Sequence, residues 1–398
     1  MGKLIVHNEK VQNAAELIKI CPFGAMEDKN GKIEINAACR LCKMCVKRGA
    51  GVFEFVDEVK ATEKIDKSTW KGIAVYVDHV EGKIHPITYE LIGKARELAA
   101  KINQNVYAVF IGENISGKAQ EILHYGVDKV YVCDKKELRA FNIENYTTAF
   151  ALFIKKVKPA AILVGATPVG RQLAPRVAAH FHTGLTADCT ILDIHENTDL
   201  IQIRPAFGGN IMAEILTTNH RPQIATVRYK IMDAPKRNDE ISGNIELLEV
   251  DSDKFTSKVE VLSIKKKPKE IGIENADILV VAGRGVKKKE DLNLIRDLAE
   301  VLNGDFACTR PLVESGWLEP KRQIGLSGRT VRPKLIITCG VSGSVQFVAG
   351  MEHSEEIFAI NTDPKASIFK IANYAIVGDL YEIIPKLIEQ IKQGRRVA

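Results

Sequence analysis

The sequence predicts an α/β protein of more than one domain, preceded by a small cysteine-rich module. Three observations carry this expectation. The chain has 398 residues, long for a single hydrophobic core. From residue 73 onward, short β-branched apolar runs alternate with segments of helical spacing, the pattern of parallel strands joined by crossover helices. Four of the eight cysteines crowd into the first 45 residues.

The opening "MGKLIVHNEKVQNAAELIKI" reads as a short strand followed by an amphipathic helix. It lacks the basic, apolar, small-residue order of a signal peptide. No apolar run approaches the roughly 20 residues of a membrane span. With 45% hydrophobic and 27% charged residues, the expectation is a cytoplasmic protein with no membrane partner. The net charge of +6 is modest, and the lysine clusters "IKKKPKE" and "VKKKED" have no interleaved aromatics. No nucleic-acid partner is expected.

In "NAACRLCKMC", Cys39, Cys42 and Cys45 recur at intervals of three, and the next member of such a run would fall at Gly49. Upstream, Cys21 is followed by Pro22 in "ICPFGAM". In bacterial ferredoxins the last cysteine of each run precedes proline and ligates the other cluster. The segment resembles a ferredoxin in which the first run has kept only its Cys-Pro and the second has lost its last cysteine. The survivors Cys21, Cys39, Cys42 and Cys45 then form one ligand set for a single [4Fe–4S] cluster. Structural zinc is the alternative, because four thiolates also suit a tetrahedral ion. Zinc ribbons pair two C-x2-C knuckles, whereas three ligands on one tight loop favour a cubane corner. Arg40, Lys43, Lys47 and Arg48 surround the run and offer a cationic surface to an acidic electron carrier. Cys133, Cys189, Cys308 and Cys339 are far apart in apolar contexts and are expected to be reduced core thiols.

Residues 56–72, "VDEVKATEKIDKSTWKG", are polar and read as a linker. The strands "GIAVYVD", "VYAVFIG", "DKVYVCD" and "AAILVGA" follow, with helices "ITYELIGKARELAAKI", "NYTTAFALFIKKVK" and "ATPVGRQLAPRVAAHF". "ADCTILDI", "LIQIRPAFGGNIMAEIL" and "PQIATVRYK" read as a mixed or antiparallel extension of the same sheet. The charged stretch "DAPKRNDEISGN" at 233–244 leads to a domain boundary expected near 250–270. Beyond it lie strands "ADILVVAG", "KLIITCG", "EIFAIN" and "YAIVGD", with helices "DLNLIRDLAEVLN", "SVQFVAGM" and "LYEIIPKLIEQIKQ". "GRG" at 283–285 and "CGVSGSVQ" follow two of these strands, where open α/β sheets bind ligands. Small residues there let backbone N–H groups approach a pyrophosphate at the positive end of a helix; a tight turn is the alternative.

From residue 73 onward the chain resembles the α subunit of an electron-transfer flavoprotein. The resemblance is densest in "AGRGVKKKEDLNLIRDLAEVL", "TRPLVESGWLEPKRQIGLSGRTVRPKLIITCGVSGSVQFVAGM" and "IFAINTDPKASIFKIANYAIVGDL". With a single-cluster ferredoxin-like segment in front, it is similar to the α subunits of electron-bifurcating dehydrogenase and reductase complexes of anaerobes. The resemblance implies a ferredoxin-like α+β domain at 1–65 and a flavoprotein α/β domain at 66–255. A doubly wound FAD-binding α/β domain then occupies 256–398, both α/β domains having mainly parallel sheets.

It also implies a set of FAD contacts. Arg284 would lie by the isoalloxazine ring, where a guanidinium favours a flavin that becomes anionic on reduction. Thr309 and Arg310 would touch the flavin side, and Gln323, Ile324, Gly325, Leu326 and Ser327 would line the ring. Ser342, Gly343, Ser344, Val345, Gln346 and Phe347 would hold the pyrophosphate and ribityl chain. Asn361, Asp379 and Leu380 would take the adenosine end. Phe347 departs from the family, which often has a histidine there, and a phenyl ring offers no donor to the pyrimidine edge. The implied partners are the flavoprotein β subunit, a flavin dehydrogenase or reductase of acyl-CoA or 2-hydroxyacid type, and ferredoxin. No nucleophile or acid–base pair is implied. A rival reading is a nucleotide-binding regulatory or hydrolase protein with a structural zinc module.

Overall fold

The computed structural model describes residues 3–56, 65–206, 211–241, 243–265 and 272–394. Parts of the linker at 56–72, of the strand reading at 200–216 and of the boundary at 250–270 lie outside them. The chain divides into two units, Met1–Ile65 and Asp66–Ala398.

The first unit is built on two antiparallel pairs. Lys3–Val6 pairs with Phe53–Val56, and Met26–Lys29 pairs with Lys32–Ile35. Asn30 and Gly31 close the second hairpin, both at positive φ (58° and 80°), as a two-residue hairpin turn of the primed type requires. The expected amphipathic helix is only Ala14–Ile18, started by Asn13, whose side chain accepts from the Glu16 N–H at 3.4 Å. A second short helix, Met44–Arg48, carries Cys45 inward. Met26, Ile33, Cys45, Val52 and Phe53 form the small core.

In the second unit, seven parallel strands make the first sheet. Their order is Leu185–Cys189, Gln223–Val227, Ala161–Gly165, Ile73–Tyr76, Val106–Gly112, Lys129–Asp134 and Asn244–Leu247. Helices Ile87–Lys101 and Ala119–Leu123 bury their apolar stripes on one face. Helices Ile143–Val157 and Gly170–His180 cover the other. The expected antiparallel extension is instead a separate sheet of Ile191–Ile194, Leu200–Ala206 and Ile211–Ile215. The reason is burial. Gln223–Val227 is buried at every position and suits the inside of a covered parallel sheet. Ile191–Ile194 buries only alternate residues and suits a one-sided antiparallel ribbon.

The linker reading ends early on its C-terminal side. Lys67 pairs with the buried Asp199 at 2.8 Å and supplies that carboxylate with a counter-charge, and Trp70 packs on the core, because an apolar ring is better placed there than in water. At the far end, Asn142 Nδ2 donates to the Ser257 hydroxyl at 2.9 Å and to the Val259 carbonyl at 3.2 Å. The chain therefore stays bound to the first sheet's helix layer as far as residue 259.

Five parallel strands form the last sheet, in the order Asp305–Cys308, Ile278–Ala282, Leu335–Cys339, Glu356–Asn361 and Tyr374–Val377. Helices Leu292–Val301 and Leu380–Lys392 cover one face. The short helix Val345–Val348 and the turn Ser367–Lys370 lie with the opposite core. The order runs outward in both directions from Ile278–Ala282, so the topological switch point falls between it and Leu335–Cys339.

Candidate cofactor sites

"GRG" and "CGVSG" follow the two strands that flank this switch point, and their backbones touch. The Gly283 N–H donates to the Cys339 carbonyl and the Gly285 N–H to the Gly340 carbonyl, each at 2.9 Å. A Cβ on Gly283 would lie 2.3 Å from the Gly340 oxygen, and one on Gly285 would lie 2.7 Å from the Gly340 Cα. Only glycine permits this approach. Gly343 (φ +80°) is equally closed, since a Cβ there would sit 2.3 Å from the Ile368 nitrogen.

Beside the switch point lies a cavity of about 620 Å³, bounded by three segments. Ten of the expected FAD contacts line it: Thr309, Arg310, Gln323, Ile324, Gly325, Leu326, Ser327, Ser344, Gln346 and Phe347. Thr309 precedes the short helix Arg310–Glu314, and Arg310 turns back to Glu314 at 2.7 Å. The loop at 323–328 is held from within: Gln323 Nε2 donates to the Ser327 hydroxyl at 2.8 Å, and the Gly328 N–H to the Gly325 carbonyl at 2.9 Å. The Leu326 N–H reaches the Gln346 carbonyl at 2.9 Å. Gly325, at φ +131°, has no room for a side chain, with the Gln346 oxygen 2.8 Å from a Cβ position. Phe347 is buried in the core behind the cavity and gives it an apolar wall.

The other expected contacts lie outside that cavity. Arg284 is exposed on the turn after Ile278–Ala282. Ser342 and Gly343 lie on the turn that receives the Ile368 N–H at 3.1 Å, and Val345 begins the short helix with an exposed side chain. Asn361 ends its strand and donates to the Val341 carbonyl at 2.8 Å. Asp379 caps helix Leu380–Lys392 by accepting from the Tyr381 N–H at 2.9 Å. The Leu380 side chain is core, buried between the sheet and its helices, so only its backbone faces outward chemistry. Sequence reasoning missed Pro311 and Glu314, which line the cavity as the continuation of the Thr309–Arg310 segment. It also missed Arg228, whose guanidinium donates to the Leu326 carbonyl at 2.6 Å from the end of strand Gln223–Val227.

In the first unit, Cys21, Cys39, Cys42 and Cys45 all line one small pocket together with Pro22 and Lys43. Cys45 is buried, Cys42 exposed, and the other two half-buried. The Ala25 N–H points at the Cys21 sulfur at 3.4 Å, a donor suited to a thiolate. Burial raises the Cys45 thiol above its usual range, and the neighbouring Cys39 and Cys42 sulfurs add to this. Four thiols at one pocket are donors that suit either an iron–sulfur cluster or a tetrahedral ion. Among the described residues, however, no group of three or more Cys, His, Asp or Glu side chains is gathered closely enough to hold a metal ion. Gly49, where a ferredoxin run would have its fourth cysteine, admits no side chain. A Cβ there would lie 2.3 Å from the Phe53 ring and 2.6 Å from the Cys45 carbonyl oxygen.

A doubly wound sheet with a glycine contact at its switch point and a large cavity beside it defines a cofactor-binding α/β domain. Comparison with known proteins makes the class specific. Residues 73–253 match the electron transfer flavoprotein domain, and residues 272–352 match the electron transfer flavoprotein FAD-binding domain. Subunit LctC of the lactate dehydrogenase (NAD(+),ferredoxin) of Acetobacterium woodii is 56% identical over 98% of this chain and 93% of that protein. The electron transfer flavoprotein subunit alpha of Thermoanaerobacterium thermosaccharolyticum is 45% identical over 81% of this chain and 98% of its own length. An acryloyl-CoA reductase electron transfer subunit beta from Anaerotignum propionicum is 36% identical over 84% of this chain and 99% of that protein. The chain belongs to the electron transfer flavoprotein α-subunit family.

Among the described residues, no helix is long and apolar enough to cross a membrane.

Proposed function

We propose that this chain is the electron-carrying α subunit of a flavin-based bifurcating complex, holding one FAD and one [4Fe–4S] cluster. The observation that carries the reading is the cavity beside the switch point, lined by twelve residues, ten of them expected contacts, drawn from three separate segments of a domain in the FAD-binding family. FAD supplies one- and two-electron redox chemistry and the cluster one-electron chemistry.

The chain's own residues bind and orient. The close approach of the turns at Gly283–Gly285 and Gly340–Gly343 would admit a pyrophosphate near the Ser342, Gly343 and Ser344 N–H groups, which make no backbone hydrogen bond among the described residues. The loop at 323–327 would present backbone and hydroxyl donors to the ring, and Phe347 would exclude water from one side. Arg284 is exposed and free to approach the ring edge. Cys21, Cys39, Cys42 and Cys45 would hold the cluster, with the Ala25 N–H stabilising the Cys21 thiolate.

The partners under this reading are a flavoprotein β subunit bearing a second flavin and the NADH site, a flavin dehydrogenase, and ferredoxin. Likeness to a lactate dehydrogenase subunit at 56% identity, against 36% for an acryloyl-CoA reductase subunit, favours a 2-hydroxyacid dehydrogenase over an acyl-CoA reductase. Family membership leaves no support for the hydrolase alternative. A cytoplasmic location accompanies the reading. The domain limits 1–65, 66–255 and 256–398 are part of it.

Purified full-length protein is expected to be yellow-brown, with about one FAD and about four each of iron and acid-labile sulfide per chain. A yellow protein with stoichiometric zinc and no sulfide would remove the cluster, and a colourless one the whole reading.

A further inference from the structure

The loop that lines the proposed flavin cavity is gripped from the neighbouring sheet. Arg228 stands just past strand Gln223–Val227, 98 residues away in sequence from Leu326, and donates from Nη2 to the Leu326 carbonyl at 2.6 Å. The same nitrogen binds Asp188 at 2.8 Å. Asp188 is itself fixed. Its backbone sits at φ 57°, its N–H donates to the Thr226 hydroxyl at 3.0 Å, and a second arginine, Arg171, pairs with it at 3.0 Å. Burial acts to raise the Asp188 carboxyl, but the Arg228 hydrogen bond and the charges of Arg228, Arg171 and Arg204 outweigh it and hold it ionised, below the usual range.

Leu326 and Ser327 share one planar trans peptide, whose carbonyl and N–H lie on opposite edges. Leu326 lies between two cavities. Arg228 lines the smaller, of about 120 Å³, and Ser327 lines the larger flavin cavity, which Arg228 does not reach. Among the described residues, the Ser327 N–H makes no hydrogen bond to protein, while its hydroxyl oxygen accepts from Gln323 Nε2. Fixing the carbonyl toward Arg228 therefore turns the unpaired N–H the other way. A charge-assisted bond on the carbonyl also polarises the peptide and strengthens that N–H as a donor.

We propose that Arg228, braced by Asp188, is a positioning residue that aims the Ser327 N–H into the flavin cavity and thereby favours the reduced, electron-rich form of the bound flavin. The inference rests on the proposed function, since it needs FAD in that cavity.

The test is the flavin midpoint potential and absorbance spectrum of FAD-loaded full-length variants. Arg228→Met keeps much of the side chain's bulk but removes the donors. It is expected to lower the affinity for reduced relative to oxidised FAD about tenfold, a fall of about 30 mV for the two-electron couple. Asp188→Asn, which loosens the brace, should shift the potential the same way by less, and Arg228→Lys should recover part of the shift. Arg332→Ala breaks an ion pair with Asp233 in the same unit without touching the peptide. It should leave the potential unchanged. If Arg228→Met fails to fold, Asp188→Asn and Arg228→Lys carry the comparison. A wild-type potential in the folded Arg228 and Asp188 variants, with only their melting temperature lowered, would make Arg228 structural and sink the proposal. A wild-type protein that takes up no FAD would instead overturn the proposed function, and this inference with it.

Discussion

Cys21→Ala is expected to strip the N-terminal unit of its iron, from about four atoms per chain to near zero. Three cysteines from one loop leave a cubane corner open, and Gly49, at the place of the run's missing cysteine, has no side chain to fill it. The loss should reach beyond the metal. Among the described residues, the buried core cluster of this unit is Met26, Ile33, Cys45, Val52 and Phe53, too little apolar surface for independent stability without a staple. Protease cutting within residues 1–65 is therefore expected to accelerate in the variant. Cys133→Ala serves as the control. Burial pushes the Cys133 thiol up to about 12, so it stays protonated and is no ligand. Full iron content and an unchanged reduced-state EPR spectrum in Cys21→Ala would show that the ligand set is wrong.

The second large effect is expected at the glycine contact of the last sheet. Gly283→Val would place a Cβ 2.3 Å from the Gly340 oxygen and 2.7 Å from the Val341 Cα, both backbone atoms that cannot rotate aside. The two turns must part, at a cost on the order of 1–3 kcal/mol for overpacking, and they part where a pyrophosphate would lie. At about 1.4 kcal/mol per tenfold, FAD affinity should fall about tenfold to a hundredfold, read by flavin fluorescence on dialysis. Gly117→Ala is the contrast, because a Cβ there meets nothing within 4 Å. It should change neither affinity nor melting temperature. Wild-type FAD affinity in Gly283→Val would move the cofactor away from the switch point.

Much of this was legible in the residues because it is local. Alternating apolar runs and helical periods located ten of the twelve strands of the two parallel sheets but not the short edge strands Asn244–Leu247 and Asp305–Cys308, and "GRG" and "CGVSG" marked the turns that meet at the switch point. Spacing gathered four cysteines that the fold brings to one pocket. What was not legible depends on burial and distance. "ADCTILDI" and "PQIATVRYK" look alike as strings, yet the first splits between two sheets and the second lies inside one, because only packing decides how many faces are covered. "SVQFVAGM" shrinks to the four-residue helix Val345–Val348 and passes into turns at 349–353, where Gly350 packs against Gly325. Leu380 reads as a site residue from its place after Asp379, but its side chain completes the core. Arg228 carried no local signal at all. Its partner is a carbonyl 98 residues away, and no spacing rule reaches that far.

The central claim, that electrons pass through two centres in one chain, is tested most directly by removing one of them. In the assembled complex, with β subunit and dehydrogenase present, protein lacking residues 1–65 should still have its flavins reduced by NADH, because the flavin cavity lies wholly within Thr309–Phe347. Reduction of ferredoxin should fall to a small fraction of the intact rate, since the proposed cluster ligands Cys21, Cys39, Cys42 and Cys45 leave with the deleted unit. An undiminished rate of NADH-driven ferredoxin reduction would contradict the account and leave the N-terminal unit a structural appendage.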